Sequence, residues 1–406
     1  MMRPAKGAPQ HLRQAVVLAG GLGTRMRPLT DHTPKPMIPF HGKPFAAYLV
    51  EMLKEQGIEE VVFLLGYLPE VVMQYFGDGK QFGLSIKYSV LPVEAETGAR
   101  LRGALDQLQE NFLLLYCDNY WPLQLRKLEE RWKASRAEAM LVVYSNDDQF
   151  TKDNVRVSDA GLIEAYDKTR TVPGLSGVDI GFGLFSRQHV ESLPNGNVSF
   201  EKEVYKKLVA RGQLAAYVSM HRYYSIGSLP RLEDTKEFLR FRPVVFLDRD
   251  GVINRKPPRG QYVSTIEEFE WLPGSLEATV LLSEAGFRLC IVTNQAGVAR
   301  GMIAAATLQK IHGRLTEEVE SAGGRIEAIY CCPHHWDEKC FCRKPQPGLF
   351  FTAQRTIHCD LTRSYFVGDQ DEDGIAAERS GCRFILKSEE RTLLEIAREI
   401  IMENKI

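Results

Sequence analysis

Two aspartates one residue apart, Asp248-Arg-Asp250-Gly, directly follow the apolar run 244–247. Carboxylates so spaced at a strand end suit phosphoryl chemistry. The first can attack phosphorus and form an aspartyl-phosphate; the second can protonate the leaving oxygen and then activate water. Asp and Gly also favour turns, so the pair alone decides little. Three later stretches add weight. Thr293-Asn294 follows the apolar run 289–292 with small polar donors, and Arg343-Lys344-Pro345 brings cations for a pentavalent phosphorus. Gly368-Asp369-Gln-Asp-Glu-Asp373 follows a third apolar run with carboxylates suited to Mg²⁺.

A second chemistry lies between these stretches. Cys332-Pro-His334, five residues, then Cys340-Phe-Cys342 supplies three thiols and an imidazole, the donor set of a tetrahedral Zn²⁺ site. Four protein ligands close the coordination shell, so the expectation is a structural zinc that clamps the loop carrying Arg343 and Lys344. Cys331 and His335 stand as adjacent alternatives. Cys117, Cys290, Cys359 and Cys382 are read as core residues.

A third constellation sits near the start. The run 15–19 leads into Gly20-Gly-Leu-Gly-Thr-Arg25, where glycines let backbone N–H groups approach a phosphate chain and Arg25 offers a planar, multi-donor cation. Pro34-Lys35-Pro36 then holds one lysine on stiff backbone, placed to neutralise charge as pyrophosphate leaves.

These motifs need strands that end where ligands collect. Apolar runs 61–65, 112–116 and 140–144 alternate with helix-like stretches, among them 45–56, which is followed by Gly57. The rhythm restarts after residue 243 with 276–284, 288–292, 305–321 and 364–367. Strand–helix alternation predicts α/β folds with mostly parallel sheets, each a three-layer α/β/α arrangement, and ligands at the carboxyl ends of the strands. A chain of 406 residues exceeds one ordinary core. The expected domains are 1–240 and 241–406, with the zinc loop at 332–342 and the junction near 233–243. A net charge of -1 offers no field for nucleic acid or an anionic membrane. No apolar run approaches the roughly 18 residues that span a bilayer. The polar N-terminus, 1–14, lacks a signal core, and eight crowded or scattered cysteines suit a reducing cytoplasm. The expected partners are small molecules, and a homo-oligomer stays open.

The stretch 16–44 resembles the signature of the sugar-phosphate nucleotidyltransferases, a likeness that extends to about residue 240. It implies that Gly20, Gly21, Gly23, Thr24 and Arg25 bind a nucleoside triphosphate and that Lys35 contacts phosphate during transfer. Glu94 and Gly98, in Glu94-Ala-Glu-Thr-Gly98-Ala, would lie near base and sugar, Asp118 would hold Mg²⁺, and Lys168 would hold the sugar phosphate. The family carries a second metal aspartate in an Asp-Ile-Gly segment; here the match is Tyr224-Ser225-Ile226-Gly227, with a hydroxyl in its place. Asp179 is the candidate replacement.

The later motifs resemble the haloacid dehalogenase superfamily over roughly 243–390. That likeness implies Asp248 as nucleophile and Mg²⁺ ligand and Asp250 as acid–base and a further member of the metal set. It gives Thr293 and Asn294 to phosphate, Lys344 to charge stabilisation and Asp369 to the metal, with Asp373 in support. With the zinc loop, the pattern is similar to heptose 1,7-bisphosphate 7-phosphatases and to their histidinol-phosphate relatives. Arg343 would then contact a second phosphate. Together the two likenesses imply synthesis of an activated heptose from GTP and heptose phosphates, with GDP-D-glycero-α-D-manno-heptose as the product. Two rivals remain: a different sugar pair, and a non-catalytic nucleotide sensor that regulates the phosphatase.

Overall fold

A computed structural model describes residues 11–404; residues 1–10 of the N-terminal stretch read above lie outside them. The chain divides into two compact units, Met1–Leu239 and Arg240–Ile406.

The first unit is built on seven strands: β1 (Gln14–Ala19), β2 (Glu60–Leu65), β3 (Ser85–Val90), β4 (Asn111–Tyr116), β5 (Ala139–Tyr144), β6 (Val178–Ser186) and β7 (Leu214–Ser219). They form one sheet in the order β7-β5-β6-β4-β1-β2-β3. All neighbours run parallel except β6, which pairs antiparallel with both β4 and β5. β1 and β5 are buried along their whole length, which is why both read as unbroken apolar runs. Helix α1 (Phe45–Glu55) buries eight of its eleven residues. It ends one residue before the boundary expected at 56. Helix α2 (Thr97–Gly103) packs near the carboxyl end of β3 and supplies pocket residues described below.

Strand β6 has no counterpart in the sequence reading. Its register with β5 shifts between Asp179 and Gly183, and Gly181 sits at φ +78, where a Cβ would fall 2.6 Å from the Tyr116 ring. Two glycines and a bulge break the period-2 pattern that marks a strand.

The second unit carries a five-stranded, wholly parallel sheet. Its strands are β8 (Val244–Leu247), β9 (Arg288–Asn294), β10 (Ile326–Cys332), β11 (Tyr365–Gly368) and β12 (Arg383–Leu386), in the order β10-β9-β8-β11-β12. Val245, Leu247, Leu289, Ile291 and Val367 form the sheet's part of the core. The covering helices are α3 (Ser275–Glu284), α4 (Ala305–Ser321), α5 (Gly348–Ile357), α6 (Asp371–Ser380) and α7 (Leu393–Glu403). The central position of β8 places Asp248 at the middle of the sheet's carboxyl edge. Both units are three-layer α/β folds, as the alternation of runs predicts. No described helix is long and apolar enough to cross a membrane.

Candidate active sites

In the second unit, Asp248 leaves the end of β8 while its own N–H still donates to Val367 O of β11 at 2.9 Å. It is 5% exposed. Lys344 Nζ reaches three acceptors: Asp248 Oδ1 at 2.9 Å, Asp373 Oδ1 at 2.7 Å and Val292 O of β9 at 3.1 Å. Lys344 is held from behind by a reciprocal pair with Asn294, its N–H donating to Oδ1 and its carbonyl accepting from Nδ2, both at 3.1 Å. Burial pushes the Asp248 carboxyl well up, reinforced by Asp373 and Asp250 and opposed by Lys344. Lys344 is itself penalised by burial, but Asp248 and Asp373 hold it charged.

Asp248, Asp369 and Asp373 offer oxygens that all lie within 4.8 Å of one another. Asp373, in the first turn of α6, accepts from the N–H groups of Asp369 and Gln370 at 3.1 and 3.2 Å, so a helix N-terminus steadies it. Asp369 takes Lys256 Nζ at 2.5 Å. Gly251, at φ +92, makes room for this carboxylate, since a Cβ there would sit 2.3 Å from Asp369 Oδ2. Three carboxylates against two ammonium groups leave a net negative charge. Hard oxygen donors with that balance fit a divalent cation.

Asp250 belongs elsewhere. The fully buried Arg249 grips both of its oxygens at 2.9 and 3.0 Å, and Asn254 Nδ2 and Gln295 Nε2 complete the shell at 2.9 and 2.8 Å. The carboxylate of Asp250, part of the expected metal set, is thus occupied by these donors, and the three carboxylates that gather are those of Asp248, Asp369 and the expected supporting residue Asp373. A charge-assisted fork orients Asp250, and proton transfer by it requires the carboxylate to turn out of that fork. Thr293 accepts from Gln295 Nε2 at 2.9 Å and is 1% exposed. Arg343, Lys256 and Arg300 line a cleft of about 780 Å³ that opens onto Asp248 and Thr293.

Beside this cleft, Cys332 Sγ at the end of β10 lies 3.5 Å from Cys340 Sγ and 3.3 Å from Cys342 Sγ, those two are 3.4 Å apart, and His334 Nδ1 lies 3.1 Å from Cys342 Sγ. Tetrahedral Zn–S bonds of about 2.3 Å put ligand atoms roughly 3.8 Å apart, so the cage has the size of a zinc site. Of the adjacent alternatives, His335 Nδ1 lies 3.2 Å from Asp337, and Cys331 is not among the four that gather.

In the first unit, β1 ends at Ala19 and the turn from Gly20 winds through Gly23, at φ +65, where a Cβ would crowd Thr30 and Lys35. Gly21, Thr24 and Arg25 are exposed on the rim. Lys35 is 9% exposed and its Nζ lies 2.5 Å from Asp118 Oδ2, just beyond β4. Ser225 pairs with Asn119, next to Asp118, and its hydroxyl accepts from Gly227 N–H at 3.0 Å. A Cβ at Gly227 would lie 3.1 Å from Ser225 Oγ, 3.8 Å from Lys35 Nζ and 3.9 Å from Asp118 Oδ2, so these three groups converge. Here one carboxylate faces one ammonium and one hydroxyl.

Asp179 does not fill the gap. It is bound to Tyr166 OH at 3.0 Å and Gly181 N–H at 2.9 Å, and burial raises its pKa. Lys168 is 2.8 Å from Glu201, a buried carboxylate that also takes Thr97 Oγ1 and Ser199 Oγ, each at 2.6 Å, and Tyr116 OH. Burial pushes Glu201 up, but Lys168 and the hydroxyl donors overcome it and hold the group at about 2. Glu94 is exposed and stays out of the 360 Å³ pocket, which Glu96, Thr97, Arg100 and Tyr116 line instead. Gly98 packs beneath it, its N–H donating to Val198 O at 2.9 Å. Glu201 escaped notice because Glu201-Lys-Glu reads as a solvated helix face.

The Nucleotidyl transferase family profile matches residues 14–168 and the HAD-hydrolase-like profile matches residues 341–399. A D-glycero-beta-D-manno-heptose-1,7-bisphosphate 7-phosphatase of Pseudomonas aeruginosa is 41% identical over 145 residues, 36% of this chain and 80% of that relative. The chain belongs to this phosphatase family. Its relative from Vibrio cholerae is 40% identical over 147 residues, covering 34% of this chain and 77% of the relative. Two solved structures share the fold. HddC from Yersinia pseudotuberculosis is 22% identical with a TM-score of 0.50, covering 56% of this chain and 100% of its own. A putative glucose-1-phosphate thymidylyltransferase from Bacillus anthracis is 20% identical with a TM-score of 0.51, covering 56% of this chain and 95% of its own. This member of the phosphatase family thus also carries a nucleotidyltransferase domain, and the chain joins a transferase to a hydrolase.

Proposed function

We propose that the chain performs two consecutive steps of activated-heptose synthesis. The second unit removes the 7-phosphate from D-glycero-D-manno-heptose 1,7-bisphosphate. The first transfers GMP from GTP to the resulting heptose 1-phosphate, releasing pyrophosphate. The observation that carries this reading is the union, in one chain, of a phosphatase-family unit with the Asp248–Lys344–Asp373 cluster and a nucleotidyltransferase domain whose substrate the phosphatase would produce.

In the second unit, Asp248 attacks phosphorus and the 7-oxygen leaves with a proton from Asp250. Water activated by Asp250 then cleaves the aspartyl-phosphate. Lys344 balances the charge on the transferring group. Asp248, Asp369 and Asp373 would hold Mg²⁺, which would neutralise phosphate charge and help orient the group for in-line attack. Thr293 and Asn294 flank the phosphate, and Arg343 is placed in the cleft for the phosphate at the far end of the sugar. Cys332, His334, Cys340 and Cys342 would hold Zn²⁺ as a structural clamp on the segment that delivers Lys344.

In the first unit, Gly20, Gly21, Gly23, Thr24 and Arg25 cradle the triphosphate, Lys35 stabilises the departing pyrophosphate and Lys168 binds the sugar phosphate. With Ser225 in place of a second carboxylate, Asp118 is the one acidic metal ligand this cluster offers. Mg²⁺ would then rely on the triphosphate's own oxygens.

Purified chain with Mg²⁺, GTP and either anomer of the bisphosphate should release both orthophosphate and pyrophosphate. Pyrophosphate release should disappear in Lys35→Ala and persist in Asp248→Asn when heptose 1-phosphate is supplied. Orthophosphate without pyrophosphate, across all four nucleoside triphosphates, would overturn the transferase step. Ser225 would then favour a nucleotide-sensing first unit.

A further inference from the structure

Arg100, on α2, is 4% exposed and none of its hydrogen bonds goes to a carboxylate. Nη1 donates to Leu65 O at 2.6 Å and Leu91 O at 3.4 Å. Nη2 donates to Pro92 O at 2.8 Å, Val93 O at 3.2 Å and Gly20 O at 3.3 Å. These carbonyls lie at and just beyond the carboxyl ends of β2, β3 and β1, three adjacent parallel strands, and the Leu65 carbonyl also accepts from Leu91 N–H at 3.1 Å. Glu94, out on the surface, acts on the guanidinium only through space.

A buried cation without a contacting counter-ion is costly, and carbonyl dipoles offset only part of that cost. The position has a second consequence. The guanidinium lies flat under the glycine turn: a Cβ at Gly20 would sit 2.2 Å from Arg100 Cζ, and one at Gly66 2.7 Å from Nη2. Gly20 and Val93 belong to two different segments of the first unit's pocket wall, and Arg100 lines the pocket as well. One side chain therefore ties both segments together. Of the cations around this pocket, Lys35 is already matched by Asp118, whereas the charge on Arg100 is not matched by contact.

We propose that Arg100 is a positioning residue for the nucleoside triphosphate: it sets the distance between the Gly20–Gly21 turn and the Val93–Thr97 segment, and its unmatched charge draws the polyphosphate between them. The proposal rests on the transferase reading of the first unit.

The test uses the full chain with Arg100→Lys, Arg100→Met and Gly20→Ala. Pyrophosphate release is followed while GTP and sugar 1-phosphate are varied separately, and each preparation is normalised to its orthophosphate release. Arg100→Lys keeps the charge but not the planar fork, and should raise KM for GTP about tenfold, the size of one lost charge-assisted hydrogen bond. Arg100→Met should raise it further. In both, KM for the sugar phosphate should stay at the wild-type value. Gly20→Ala, which displaces the guanidinium without removing it, should reproduce the Arg100→Lys effect. A role confined to stability would lower the thermal midpoint and leave the ratio of the two KM values unmoved, and that result overturns the proposal. If wild type binds no nucleoside triphosphate in calorimetry, the transferase reading falls and this inference falls with it. If wild type binds and all three variants bind equally well, only the assignment of Arg100 is wrong.

Discussion

The two units place lysine and aspartate in contact beyond the carboxyl ends of strands in a wholly or mostly parallel sheet, yet they settle the charge differently. In the second unit Lys344 is enclosed by Asp248 and Asp373, with Asp369 completing a three-carboxylate cluster. In the first, Lys35 faces Asp118 alone, and a serine hydroxyl stands where another acid would complete the set. The second site is organised for a cation before substrate arrives. The first has its positive charge built in, through Lys35 and Arg100, and on the proposed function most oxygen donors to a metal would come from the nucleotide. On that reading, the same fold class would thus support a site that holds its metal and a site that borrows one.

The largest effect separates the units outright. Asp248→Asn should lower orthophosphate release by at least about a thousandfold, as loss of a nucleophile does. GTP consumption with heptose 1-phosphate should remain at the wild-type rate. A parallel fall in both would break the comparison, because the sites would not be independent.

Next comes the thiol cluster, which has no counterpart among the described residues of the first unit. Cys340→Ser should lose bound zinc by elemental analysis and lower the calorimetric transition of the second unit alone. The cost is several kcal/mol, since a structural zinc contributes folding energy directly.

Acid should also distinguish the units. His312 is half-buried beside Arg249, and desolvation with that neighbour pulls its pKa down to about 4. A histidine whose folded pKa is depressed stays neutral in the fold and charges more easily when unfolded. Its contribution is full above about pH 6.5 and fades as pH falls toward 4. Glu201, held at about 2, contributes fully above about pH 4.5 and loses its share between there and pH 2. Each is of order 2–3 kcal/mol. Thermal melts in steps of pH should show the second unit weakening first, and His312→Phe should flatten its early decline.

The smallest effect sharpens the contrast most. Ser225→Asp adds a carboxylate beside Asp118 and Lys35, and should raise the Mn²⁺ bound per chain by one in the absence of nucleotide, counted by electron paramagnetic resonance. No added Mn²⁺ would mean that Lys35, and not the missing acid, keeps the first site free of metal.

Much of this arrangement was legible because it is local. Val244–Leu247 before Asp248, or Gly20 after a buried run, announces a strand end and its cargo within a few residues. The four zinc-type ligands fall within eleven positions, and the structure brings together the four that spacing favours. What escaped depends on long-range packing. Asp250 reads as one of a pair until Arg249, Asn254 and Gln295 claim both its oxygens. Arg100 looks like any basic residue of a short helix until three strand ends close around it. Strand β6 stays hidden because its glycines and bulge erase the alternation.

The three acceptors of Lys344 Nζ come from β9, from just beyond β8 and from α6, elements far apart along the chain. The full set of contacts does not exist until β9, which carries Val292, and α6, which carries Asp373 81 positions later, have come together. Phosphate turnover is therefore a clock for folding. During refolding from denaturant, recovered hydrolysis should lag the return of helical signal, because it reports the last nonlocal pairing and not the first local turn.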